Sequence, residues 1–266
     1  MTKVIVGFTF YNELNMLEAH LTELYDYVDA FILVEANVTF TGKSKPFYFE
    51  QNKDRYQKFL KKIIHVKVTD MPNTGNAWDN EVFQRNCITR GIHKISGVSR
   101  SDILVICDVD EIISKTTPDI LRKRDFDKDT HPSIIPMNYY FYNFNCKAAN
   151  PWLFVKAVKL GTLIKSKKTC HQVRVHNIYS EIIPDTSGWH LSYFGDKEYI
   201  KNKLRSFSHT EYSKGKYVND DYIQTMITQC RSLFPPPDIY HFGKVDENLQ
   251  EKPELWSIFI AEAPVV

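Results

Sequence analysis

This chain predicts an α/β fold, a Rossmann-type, mostly parallel mixed sheet flanked by helices, on three observations. Four short Val/Ile-rich runs, at residues 3–10, 30–36, 63–68 and 102–107, recur at regular intervals. Apolar runs of that length suit strands buried on both faces of a parallel sheet. Helical patterns fill the gaps between them, and 43% hydrophobic with 25% charged residues over 266 positions is enough to bury a full core.

After the first strand, Asn12 is placed to cap a helix. Leu14, Leu17, Leu21, Leu24 and Val28 then repeat at spacings of three and four, one apolar stripe. Residues 50–62 and 78–95 read as two further helices, so the first part of the chain is βαβαβαβ, half of a doubly wound nucleotide-binding fold. Beyond it the rhythm changes. A charged stretch at 122–129 leads to an aromatic run at 134–144 and an apolar run at 153–160, both read as longer strands. Helices follow at 196–206, with Asp196 as cap, and at 219–233, stopped by Pro235-Pro236-Pro237. A single domain over 1–266 is expected, its halves (about 1–115 and about 116–266) sharing one sheet.

Composition excludes several classes. A net charge of +2 gives no field for nucleic acid or an anionic membrane. Five cysteines, widely spaced and without a CxxC pair, indicate neither a zinc ribbon nor a disulfide framework, and a reducing compartment is expected. The first strand starts at Lys3 with no leader before it, and no apolar run of about 18 residues follows. A soluble, cytoplasmic chain is expected, lumenal only if a targeting segment was removed. Aromatics at 14% fill a core and also suit surfaces that stack on sugars.

The sharpest local feature is Ile103-Leu104-Val105-Ile106-Cys107-Asp108-Val109-Asp110-Glu111. An apolar strand ends in carboxylates at i and i+2, on one side of the strand and at the end where open α/β sheets bind ligands. Asp108 and Asp110 there can hold Mg²⁺ or Mn²⁺ and leave positions for diphosphate oxygens. Asp125, Asp127 and Asp129 form two more Asp-x-Asp pairs, but no strand precedes them and they read as a solvated turn. As a calcium loop they fail, with Thr130 at the sixth position and Pro136 at the twelfth. The alternative for Asp108 is the nucleophile of a haloacid-dehalogenase-type phosphatase, and a further alternative for the whole chain is a non-catalytic carbohydrate-binding module.

Several segments together resemble glycosyltransferase family 17. They are Phe10-Tyr11-Asn12-Glu13, Val34-Glu35-Ala36-Asn37-Val38-Thr39-Phe40-Thr41-Gly42, Arg85-Asn86, Asp108-Val109-Asp110-Glu111-Ile112, Gly188-Trp189-His190-Leu191-Ser192 and Lys203-Leu204-Arg205-Ser206-Phe207-Ser208-His209-Thr210-Glu211. The resemblance implies a GT-A-like fold, UDP-N-acetylglucosamine as donor, a glycan acceptor and inversion to a β-1,4 linkage. The halves become a donor half and an acceptor half. The loop at 9–13 (Thr9, Phe10, Asn12, Glu13) and Glu35 would face the uridine, though Asn12 and Glu13 also make an ordinary helix start. Arg85 and Lys45 would reach the diphosphate. His190 would join Asp110 on the metal, and Trp189 would stack on a sugar or pack in the core. Glu111 would contact donor sugar hydroxyls. An inverting transfer also needs a general base; Glu211, Asp185 and Glu181 are the candidates, and Glu211 belongs to the resembling segment.

Overall fold

The computed structural model describes residues 1–72, 74–124, 131–176 and 180–235, with the backbone of 241–242. The loop carrying Asp125, Asp127 and Asp129 lies outside the described residues, as do Pro236 and Pro237.

The four expected strands form: β1 (Val4–Phe10), β2 (Ala30–Ala36), β3 (Ile63–Val68) and β4 (Ile103–Asp108). They pair in parallel in the order β3-β2-β1-β4, with Thr9 opposite Asp108. Because the order reverses between β1 and β4, their carboxyl ends open a crevice. Between them run α1 (Leu14–Leu24), α2 (Tyr48–Gln51), a 3₁₀ stretch at Lys53–Lys62, α3 (Ala77–Asn86) and α4 (Ile88–Ile92). Three expectations change here. The helix expected at 50–62 is largely 3₁₀, and the one expected at 78–95 is two helices meeting at Cys87. Asn12 does not cap α1; Glu13 takes the cap position without a side-chain cap bond, and its Oε2 accepts the Tyr11 and Asn12 backbone N–H groups at 3.0 Å each.

The second half runs through β5 (Glu111–Ile113), α5 (Thr117–Lys123), β6 (Ser133–Ile134), β7 (Asn138–Phe141), β8 (Cys146–Lys147), β9 (Lys156–Lys159), α6 (Leu160–Ser166) and α7 (Cys170–Val175). It ends in β10 (Gly188–Ser192), α8 (Lys197–Ser206), α9 (Asp220–Thr228) and β11 (His241–Phe242). The long strands expected at 134–144 and 153–160 are thus short. Asp196 does cap α8, accepting from the Tyr199 N–H at 2.7 Å. The expected single sheet is two. Antiparallel β9 and β6 complete the first as a six-stranded sheet, and β11-β8-β7-β10-β5 make a second.

The passage from one sheet to the other is the aspartate motif itself. Asp108 ends β4 in the first sheet and Glu111 begins β5 in the second, so Val109 and Asp110 are the joint. The joint is fixed twice over. His20 on α1 donates from Nδ1 to the Val109 carbonyl (2.9 Å), and the Leu191 N–H of β10 donates to the Asp110 carbonyl (2.8 Å). Gly188 opens β10 because a Cβ there would lie 2.4 Å from the Ile112 carbonyl oxygen; its absence lets β10 lie against β5 and bring His190 level with Glu111.

Three apolar clusters support this frame. One lies under α1 and runs into both sheets; one lies on the opposite face of the first sheet, under α4, α6 and α7; the third holds α8 and α9 on the second sheet. In that third cluster Cys146 and Cys230, both buried, are joined as a disulfide, which corrects the expectation of unpaired cysteines. Spacing could not reveal it, since the partners are 84 residues apart in sequence. The expectation of a reducing compartment loses its basis with it. Cys87, Cys107 and Cys170 are free and buried.

Candidate functional site

A pocket of about 440 Å³ opens at the carboxyl ends of β1 and β4. Its floor is Asp108 and Asp110; its walls include Thr9, Phe10, Glu13, Lys45, Arg85, Arg174, His190 and Lys203.

The two aspartates are held differently. Asp108 accepts from the Thr9 hydroxyl (3.1 Å), from Arg85 (3.0 Å) and from Arg174 (2.8 Å). Burial pushes its carboxyl up, but the Arg174 and Arg85 guanidiniums outweigh that and hold it below the ordinary carboxylate range. With both oxygens clamped and weakly basic, Asp108 is poorly suited to the phosphatase alternative, which needs a free nucleophilic oxygen. Asp110 accepts from the Lys203 ammonium at 2.8 Å, and His190 Nε2 lies 3.8 Å from its other oxygen. Burial raises Asp110, but the positive charge around it, Lys203 foremost, lowers it by more in total and holds it below the ordinary carboxylate range. Burial also lowers His190 further than Asp110 raises it, so the imidazole is neutral, the form that binds metals. The ring stacks on Tyr139 at 4.6 Å and touches Trp152 at 4.5 Å.

Under the floor, Glu111 is fully buried and does not line the pocket. Its oxygens accept two bonds from Arg174 (2.7 Å each), one from Trp152 Nε1 and one from the Asp108 backbone N–H (2.7 Å). It therefore orients the motif and has no free oxygen for a sugar hydroxyl. Glu35 is likewise buried, accepting from Lys45 (3.3 Å), His65 (3.1 Å) and the Tyr48 and Phe49 backbone N–H groups. It ties β2 to α2 and does not reach the pocket. Lys45 does reach it, and burial lowers its pKa. Glu13 lines the wall, its carboxyl raised by burial more than Lys203 lowers it. Asn12 does not line the pocket, and Trp189 is a core side chain.

The expected base candidates are dispersed. Asp185 is exposed on the loop before β10, with φ of 61°. Glu181 is exposed beside Arg124 at 3.7 Å. Glu211 stands behind the rim, accepting from His209 Nδ1 at 2.8 Å, while His209 itself lines the pocket. Arg174, His171, Lys203, Glu81 and Trp78 also line it, with no role from sequence reasoning. Arg174 and His171 sit on α7, six residues long, where no period can be read. A signal for it did exist, Thr169-Cys170-His171-Gln172, a capping box in which the Thr169 hydroxyl accepts the Gln172 N–H and Gln172 answers the Thr169 N–H.

A divalent ion, which the resemblance implies, can be tested against these donors. Asp110 and neutral His190 present an oxygen and a nitrogen close enough to share one ion. Among the described residues no group of three or more His, Cys, Asp or Glu gathers. Two protein donors with phosphate oxygens and water completing the shell are ordinary for Mg²⁺, so the pair fits an ion that arrives with a diphosphate. Lys203 then has to yield Asp110 or share it.

The fold and the pocket define an α/β protein with a crevice at the switch point of a parallel sheet, lined by guanidinium, ammonium and carboxylate groups. The sequence profile described as glycosyltransferase family 17 matches residues 1–261, and the chain belongs to that family. Among curated proteins it is similar to the β-1,4-mannosyl-glycoprotein 4-β-N-acetylglucosaminyltransferases of Rattus norvegicus and Homo sapiens, each 26% identical over 147 residues. That match takes in 53% of this chain and 27% of each relative. The apo-form glycosyltransferase GlyE of Streptococcus pneumoniae TIGR4 shares 12% identity over 63% of this chain and 36% of that one, at a TM-score of 0.34. Among the described residues no helix is long and apolar enough to cross a membrane.

Proposed function

We propose that this chain is a GT-A-like, inverting glycosyltransferase that moves a sugar, N-acetylglucosamine by analogy with its relatives, from a UDP-sugar to a glycan hydroxyl. The observation that carries the reading is Asp108 and Asp110 converging with Arg85, Lys45 and Lys203 in one pocket at the strand ends. A diphosphate needs cations with donors in fixed geometry, and this wall supplies them. Donor binding draws mainly on the half before about residue 115, and acceptor binding mainly on the half after it. Thr9, Phe10 and Glu13 line the donor end. Asp110 and His190 would hold Mn²⁺ or Mg²⁺, which when bound neutralises charge on the departing diphosphate. Arg85 is kept in place by Asp108 and Glu81 at 3.0 and 2.9 Å, and a cation fixed beforehand in the pocket wall lowers the barrier by preorganisation.

The test is ligand-dependent melting. UDP-N-acetylglucosamine with Mn²⁺ should raise the melting temperature more than GDP-mannose does, and UDP release should follow when a glycan acceptor is added. Asp110→Ala should stay folded and bind UDP with no response to Mn²⁺. Equal stabilisation by both nucleotide sugars removes the uridine assignment; a full Mn²⁺ response in Asp110→Ala removes the metal assignment.

A further inference from the structure

The rim of the pocket carries an arrangement that donor binding leaves unexplained. Trp78, in the first turn of α3, is 42% exposed, and among the described tryptophans it alone is exposed. His209 stands edge-on to it at 4.6 Å and 80°, with Phe207 5.5 Å from the imidazole. All three line the pocket. Ser208, between the last two, donates from its hydroxyl to Glu81 and to the Ala77 carbonyl, so this segment is pinned to the turn that carries Trp78. Core packing does not account for an aromatic pair left open to solvent at a pocket mouth. A flat ring beside hydrogen-bonding groups is what the apolar C–H face of a pyranose needs.

Most of the pocket's carboxylate oxygens already accept hydrogen bonds. Asp108 is clamped by two arginines, Asp110 by Lys203, Glu81 by Arg85 and Ser208, and Glu13 by two backbone N–H groups. His209 differs. Its Nδ1 donates to Glu211 at 2.8 Å, which sets the tautomer and leaves Nε2 as a proton acceptor, the orienting logic of a carboxylate–histidine pair.

Resting on the transfer reading above, we infer that Trp78, Phe207 and His209 form the acceptor subsite for a pyranoside, and that His209, oriented by Glu211, is the general base. The acceptor hydroxyl gives its proton to His209 Nε2 while its oxygen bonds to the anomeric carbon. The bond from that carbon to the diphosphate breaks, its electron pair leaves with UDP, and His209 returns the proton to solvent. Glu211 thus acts through His209 and is a positioning residue, while His209 is the catalytic one.

The experiment uses the full chain with UDP-N-acetylglucosamine and two acceptor probes, p-nitrophenyl β-mannoside and p-nitrophenyl N-acetyl-β-glucosaminide. UDP release is followed beside calorimetric binding of UDP. His209→Ala should bind UDP as wild type does and lose roughly 10²–10³ in kcat, part of it restored by added imidazole. Glu211→Gln should lower kcat less, and Trp78→Ala should raise the acceptor KM about tenfold, with Trp78→Phe restoring it. His209→Ala within twofold of wild type at saturation, or a loss of UDP affinity in that variant, overturns the base; an unchanged acceptor KM in Trp78→Ala overturns the subsite. Wild-type turnover of neither glycoside above its rate with water overturns the pyranoside assignment. Failure of wild type to bind UDP at all is the separate failure of the transfer reading.

Discussion

Arg174 divides its guanidinium between Asp108 in the pocket and Glu111 beneath it, at 2.8 Å and 2.7 Å. Its pKa is raised because the two carboxylates outweigh a burial that alone would lower it. The pair Arg174–Glu111 is out of water, and a buried pair costs most when only one partner is removed. Arg174→Met should therefore lower unfolding stability by about 3–5 kcal/mol, leaving Glu111 buried with neutral donors only. The double variant Arg174→Met/Glu111→Leu should recover most of that loss in a denaturant titration; a double variant no more stable than the single one would show that the residues act independently. The sequence made the Asp108–Asp110 pair legible because the strand before it is unbroken. It could not disclose that Glu111 and Glu35 face inward, since a carboxylate at a strand end looks the same whether a guanidinium or solvent receives it.

At the scale of elements, long parallel strands were legible and short connectors were not. Val4–Phe10 and Ala30–Ala36 are buried along their whole length, so every residue reports the same environment. The six residues of Cys170–Val175 carry too few turns to show a period, and half of the guanidinium wall was missed with them. The helix Leu14–Leu24 was read from its leucines, and its most informative residue, His20, went unremarked. His20 is fully buried among Phe8 and Phe31. Burial lowers its pKa to about 4 against the weaker opposing pull of its Val109 bond and Asp110. The unfolded chain protonates this imidazole near pH 6.5 and the folded one does not, so the stability it contributes is complete above about 6.5 and falls as pH drops toward 4. Burial also lowers His171, His176 and His190, so they add to the slope in the same direction. The comparison with His20→Gln isolates one proton. Between pH 6.5 and 5 wild type should lose about 1.5 kcal/mol more than the variant. Parallel stability curves for the two proteins would mean that His20 is protonated in the folded state.

For the whole molecule, the end of the pocket lined by Thr9, Phe10 and Asp108 rests on the first sheet, while His190 and Lys203 come from the second sheet and the helix packed on it. Their meeting at Asp110 depends on how firmly the third apolar cluster holds α8, and the Cys146–Cys230 bridge lies within that cluster beside Ile200 and Leu204. Closing 84 residues restricts the unfolded chain, an effect on the order of 4 kcal/mol in the loop-entropy treatment. Protein prepared without reductant and unfolded in guanidinium should thus expose three alkylatable thiols, Cys87, Cys107 and Cys170, and five after reduction. The reduced protein should unfold at a lower denaturant concentration. Its weakness should begin at the second sheet, because the first keeps two apolar clusters that the bridge does not touch. Hydrogen exchange should accordingly quicken in α8 and α9 before it quickens in β1 and β4. Five thiols labelled without reductant would show the two sulfurs to be unbonded, and the hold on α8 would then rest on the apolar packing of that cluster, Ile200, Leu204 and Met226 among it.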